Sequence, residues 1–155
     1  MNTETGSLSE GWMGTGTGRR QSDSGKKWLD KGKEALERNR LSEAIEGFRQ
    51  AIDADSHLID AYLYLGIALA MDAQVYDAID MFEAGLALSP KHFMLNLKLA
   101  DLYFRLSVPE KGHKYLAAAT EAISTPQERQ LARTLISQET DREKRRIYRP
   151  SFGKS

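Results

Sequence analysis

Small residues recur along this chain at intervals of 34, and that period constrains the fold more than any other feature. Gly32 and Gly66 are 34 apart, and Ala100 follows after another 34. Ala44, Ala78 and Gly112 keep the same spacing, as do Phe48, Phe82 and Leu116, and Ala51, Gly85 and Ala119. A period of this length marks stacked supersecondary units, each unable to bury its apolar face alone. Each unit has one small residue in a first helix, then a small, a bulky and a small residue in a second. The predicted fold is all-α: a right-handed α-solenoid of three helix-turn-helix repeats, 25–58, 59–92 and 93–126, closed by a C-terminal capping helix.

The spacing has a packing rationale. Two helices approach closely only where side chains are small. A glycine inside a helix costs roughly 0.5–1 kcal/mol relative to alanine, so Gly32, Gly66, Gly85 and Gly112 need a packing reason. Gly32, Gly66 and Ala100 are expected where the first helix meets its partner, with Ala44, Ala78 and Gly112 opposing them. Phe48, Phe82 and Leu116 are expected to plug the space between neighbouring repeats.

Punctuation in the sequence fits this phase. Asn39-Arg40 is a polar break, and Ser42 is expected to cap the second helix. Ser89-Pro90 ends repeat two, because proline cannot continue a helix. Pro109 sits where a first helical turn tolerates it. Thr125-Pro126-Gln127-Glu128 has the form of a capping box with proline at the first helical position. It opens the capping helix, 127–147, with Leu131, Leu135 and Ile136 expected on its packed side. Repeat arrays need such caps because each repeat touches only its neighbours.

The ends differ from the body. Residues 1–25 are rich in Gly, Ser and Thr, with Leu8, Trp12 and Met13 the bulky apolar residues, and are expected to be disordered. Gly14-Thr15-Gly16-Thr17-Gly18 has the look of a phosphate loop but lacks the preceding strand such a loop requires, so it reads as linker. Residues 148–155 are expected to be a flexible basic tail. The 22 basic and 22 acidic side chains cancel overall, which removes any whole-molecule pull toward nucleic acid or acidic membranes. Along the chain they segregate: residues 28–126 carry ten basic and fifteen acidic side chains, residues 127–155 eight and four. With no cysteine, disulfides and thiolate metal sites are excluded. No apolar run reaches membrane-spanning length and no signal peptide is evident, so a cytoplasmic location is expected.

The repeats resemble the tetratricopeptide family. Repeat one carries Trp28, Gly32, Ala44, Phe48 and Ala51 of its pattern. Repeat two carries Tyr62, Leu65, Gly66, Ala78, Phe82 and Pro90. Repeat three is the most diverged, with Leu99, Ala100, Tyr103, Leu116 and Ala119, Gly112 in an alanine slot and Ser124 where proline is usual. The resemblance covers residues 25–126 and implies a concave groove, lined by the first helices, that binds peptides or helices of a partner protein. By repeat phase the lining is Lys26, Leu29, Asp30, Lys33 and Leu36; then Leu63, Tyr64, Ile67, Ala70 and Met71; then Met94, Leu97, Lys98, Asp101 and Phe104. Family members that grip a C-terminal carboxylate use Lys, Asn, Asn, Lys and Arg, where this chain has Leu29, Lys33, Tyr64, Met94 and Lys98. Only Lys98 fits, with Lys33 matching by charge alone, so an apolar partner segment is expected instead. Some of these residues are core, since first helices are buried on two sides. Size and architecture are also similar to those of bacterial type III secretion chaperones with tetratricopeptide repeats.

No catalytic constellation stands out, and no enzyme activity, cofactor or metal is expected. His57 and His92 fall at repeat junctions and His113 lies early in a second helix, without the spacing of a zinc site. The basic stretch Arg142, Lys144, Arg145, Arg146 and Arg149 has three readings: the solvated end of the capping helix, a dock for an acidic partner such as a second copy (a homo-oligomer), or a contact with nucleic acid or lipid. Tyr148 is one aromatic, too few for a stacking platform, so there is no strong nucleic-acid or membrane signal.

Overall fold

A computed structural model describes residues 23–148. The expected disorder of residues 1–22, the linker at 14–18 and the tail from Arg149 onward lie outside the described residues. The described chain is helical throughout: α1 covers residues 23–37, α2 Leu41–Ala54, α3 Ile59–Met71, α4 Val75–Leu88, α5 Phe93–Arg105, α6 Pro109–Glu121 and α7 Pro126–Ile147. Residues 23–25, expected to be disordered, belong to α1. Gly25 there is buried, because a Cβ on it would lie 2.9 Å from the Cβ of Asp55. The described residues form two compact units, one ending at Leu88 and the other beginning at Ser89.

In the first unit, α1 to α4 make two helical hairpins. Gly32 and Gly66 stand inside helices where an aromatic ring occupies the space a side chain would need. A Cβ on Gly32 would come within 2.6 Å of Phe48 Cδ1, and one on Gly66 within 2.6 Å of Phe82 Cδ1. Phe48 and Phe82 thus insert within their own repeats rather than only between repeats. Phe48 does both, since its ring also stacks on Tyr64 of the next repeat with centroids 5.7 Å apart. Gly32 is opposed by Gly47 as well, where a Cβ would sit 3.0 Å from the Gly32 Cα. Ala44 and Ala78 are fully buried.

The corners are set by the backbone. Asn39, Ala73 and Ser107 have φ of 56°, 62° and 60°, and their numbers differ by 34. At each corner the left-handed residue donates its N–H to the carbonyl three back, to Leu36, Ala70 and Phe104. The next residue (Arg40, Gln74, Val108) donates to the carbonyl five back, to Ala35, Leu69 and Tyr103. These paired bonds are Schellman motifs, which satisfy carbonyls left open at a helix end. Arg40, Gln74 and Val108 then accept the first bonds of the following helices, from Ala44, Ala78 and Gly112. Ser42 does not cap α2: its N-cap is Arg40, without a side-chain capping bond, because the corner delivers the chain into α2 two residues earlier.

In the second unit, α5, α6 and α7 share a core of Phe93, Leu97, Ala100, Phe104, Ala119, Ala132 and Leu135. Leu116 packs against it only partly buried. The capping box forms: Glu128 Oε2 accepts the N–H groups of Ser124 at 2.7 Å and Thr125 at 3.1 Å, while Thr125 Oγ1 accepts the Glu128 N–H at 3.2 Å. Pro109 opens α6 as expected. The packed stripe of α7 is Ala132, Leu135 and Glu139, spaced three and four residues apart as one helix face requires. Leu131 and Ile136, expected on that side, are 45% and 43% exposed; they lie one position off the stripe.

Candidate interaction surface

In the first unit, the stripe Tyr64, Ile67 and Met71 follows one face of α3, at intervals of three and four. Tyr64 and Ile67 are half-buried, and Met71 is 54% exposed. Lys33 of α1 reaches over this stripe, with Nζ 4.6 Å from the Tyr64 ring centroid, a cation–π contact that joins the first helices of repeats one and two. Leu29 and Leu63 are buried, so they support this face from behind. Among the remaining expected lining residues, Lys26 and Asp30 are exposed and Leu36 and Ala70 half-buried.

In the second unit, Met94, Lys98 and Asp101 are half-buried on α5, whereas Leu97 and Phe104 are core. Asp101 is already engaged. Its Oδ2 accepts Arg105 Nη2 at 3.0 Å, and its Oδ1 lies 3.7 Å from Arg142 Nη2 of α7. Arg142 also pairs with buried Glu139 at 3.3 Å. The first residue of the basic stretch is therefore part of the fold, while Lys144, Arg145 and Arg146 are exposed. Sequence reasoning missed this network, because Glu139 and Arg142 read as solvated charges on the far half of a polar helix.

Each histidine has a local role. His92 is the N-cap of α5, its Nδ1 accepting the Leu95 N–H at 3.3 Å. His113 meets the Phe104 ring edge-on at 5.1 Å, and His57 lies 3.4 Å from the Ser56 hydroxyl. No group of three or more metal-ligating residues assembles among the described residues, and none of their helices is long and apolar enough to cross a membrane. Buried Asn96, also missed from sequence, donates to the carbonyls of Pro90 at 3.2 Å and His92 at 3.0 Å, which fixes the turn into α5.

Two clefts open in the first unit. One of about 530 Å³ lies between α1 and α2, lined by Trp28, Lys31 and a mixed set of charges. Arg38 and Arg40 there pair with Glu34 and Glu43, leaving a solvated, self-neutralised surface. The other, about 390 Å³, is lined by residues of α2, α3 and α4.

Neither a family model nor a curated protein sequence matches this chain. Solved structures do match. The type III secretion translocator chaperone SycD of Yersinia enterocolitica superposes with a TM-score of 0.72 at 17% identity, over 79% of this chain and 96% of that one. The OM64 TPR domain of Arabidopsis gives 0.71 at 11% identity, over 79% and 98%. The fold is that of a tetratricopeptide-repeat domain. A further tetratricopeptide-repeat structure, the first such domain of Spaghetti (RPAP3) bound to the HSP90 peptide SRMEEVD, gives 0.67 at 16% identity, over 76% and 94%. SycD itself has also been solved with a peptide of the translocator YopD.

Proposed function

We propose that this tetratricopeptide-repeat chain is a protein-interaction module that takes an apolar partner segment on the faces of its first helices. The observation that carries the reading is the Tyr64–Ile67–Met71 stripe, an apolar strip on α3 that the fold leaves partly open. Tyrosine anchors docking surfaces and methionine adapts to irregular partners. Lys33 is committed to the Tyr64 ring, which weakens the case for a carboxylate-gripping site. The peptide-bound SycD and Spaghetti structures support the reading by analogy of fold. Tyr64→Glu combined with Met94→Glu is expected to abolish partner capture while far-UV helicity is retained. Undiminished capture would remove the first-helix faces as the site.

A second reading, a chaperone holding an apolar export substrate, draws on the fold analogy with the translocator chaperone SycD. It predicts that a substrate co-expressed with this chain becomes insoluble when the chain is withheld. A substrate that stays soluble alone counts against it.

A further inference from the structure

The cleft of about 390 Å³ among α2, α3 and α4 has an apolar floor and an acidic rim. Leu65 and Leu69 are buried at its base, and half-buried Ile52 and Met81 form its walls. Asp53, Asp77 and Asp80 are exposed at its edge together with Arg49, so carboxylates outnumber cations three to one. None of these four charges forms an ion pair with another described residue.

The end of α7 has the complementary chemistry. Lys144, Arg145 and Arg146 are exposed and form no ion pair among the described residues. Directly after them come Ile147 and Tyr148, 80% and 82% exposed, the most exposed large apolar side chains of the described chain. Cations followed by an aliphatic and an aromatic side chain match carboxylates around a leucine floor. The segregation runs through the sequence, with a net of minus five over residues 28–126 and plus four over 127–155. Ile147 and Tyr148 remain exposed in the folded chain, so they are free to seat elsewhere.

We propose that this cleft receives the last turn of α7 from a second copy of the chain. Lys144 and Arg145 face the Asp77 and Asp80 carboxylates, and Tyr148 and Ile147 cover the leucine floor. Cleft and tail are different patches, so the contact is heterologous and either closes by reciprocal exchange or propagates head to tail. The cleft's charged rim lies on second-helix residues and its floor on Leu65 and Leu69 of α3, and none of the three residues of the Tyr64–Ile67–Met71 stripe lines it, so the contact stands independently of the partner-binding reading.

Sedimentation of the full chain at about 0.05 M and about 0.5 M NaCl tests this, because exposed charges are screened over that range. The expected result is a mass of at least about twice the 17.4 kDa monomer at low salt, falling toward the monomer at high salt. Asp77→Lys with Asp80→Lys, and separately Lys144→Glu with Arg145→Glu, are each expected to give monomers with unchanged helicity. Mixing these two variants restores association, since each reversed patch then meets a matching one. Tyr148→Ser is expected to weaken association about tenfold. A monomeric wild-type chain at both salt concentrations, variants that associate undiminished, or a mixture that stays monomeric would each overturn the proposal.

Discussion

The ring of Phe104 fills the volume that a side chain at Gly112 would occupy: a Cβ there would come within 2.5 Å of the ring. In the first unit the order is opposite, with the glycine on the first helix (Gly32, Gly66) and the ring on the second (Phe48, Phe82). Repeat three has exchanged the two roles. Its alanine slot holds glycine because its first helix carries the bulk.

Alanine at Gly66 or Gly112 is therefore expected to destabilise, although alanine is the better helix former. Propensity favours the change by roughly 0.5–1 kcal/mol, whereas overpacking costs about 1–3 kcal/mol. Chemical denaturation reads the difference. In a double-mutant cycle, Phe104→Leu is expected to recover much of the loss from Gly112→Ala and none of the loss from Gly66→Ala, which lies in the other unit.

The corners invite the reverse substitution. Ala73 sits at φ 62°, where an L side chain costs about 1 kcal/mol or more. Ala73→Gly removes that strain but loosens the unfolded chain, for an expected net gain of up to about 1 kcal/mol in denaturant unfolding. Ala73→Val is expected to lose at least about 1 kcal/mol, because a β-branched residue is a genuine outlier there.

Arg142 holds two carboxylates. Asp101 Oδ1 is buried without a hydrogen bond, and Glu139 is buried beside it on the same guanidinium. Arg142→Ala leaves both without that cation, at an expected loss of about 1–3 kcal/mol, below the range for a fully buried pair because Arg142 is about one-third exposed. Hydrogen exchange localises the effect: protection falls in the second half of α7, while the stretch around Ala132 and Leu135 keeps its apolar anchor.

Glu128 sets an acid limit on the start of α7. The Ser124 backbone N–H, followed by the Ser124 hydroxyl and the Thr125 donors, holds its carboxyl below the usual carboxylate range against the opposing pull of desolvation. A carboxyl lowered in the folded chain stabilises it above the unfolded pKa, and that stabilisation is lost as pH falls through the folded pKa. An NMR titration is expected to place the Glu128 midpoint below the usual carboxylate range. Glu128→Gln is expected to flatten the acid side of the stability profile.

Much of this architecture is legible in the sequence, and for physical reasons. The 34-residue period survives because Gly32, Gly66, Phe48 and Phe82 obey steric limits that few other residues meet. Thr125, Pro126 and Glu128 announce α7 because a capping box needs those side chains. The corners are illegible beyond Asn39, since Schellman bonds run between backbone groups and Ala73 and Ser107 adopt the left-handed conformation without the glycine or asparagine that usually signals it. The packed stripe of α7 was misread because Ala132 is small and Glu139 charged, while Leu131 and Ile136 are apolar yet face outward. Repeat phase gives the first-helix lining and the expectation that some of it is core, but not which residues; burial separates it into Leu29, Leu63, Leu97 and Phe104 beneath and Lys33, Tyr64, Ile67, Met71, Met94, Lys98 and Asp101 nearer solvent.

The three corners, alike in backbone and unlike in side chain, divide the molecule into universal joints and keyed fittings. A corner could be moved between repeats without regard to its residue, because its fastening is written in carbonyls and amides. A helix crossing could not: Gly66 travels only with Phe82, and Gly112 only with Phe104. Anyone recombining these repeats into a longer array should cut between repeats, at 58–59 and 92–93, and leave the corners at 39, 73 and 107 intact, so that each lock moves with its key.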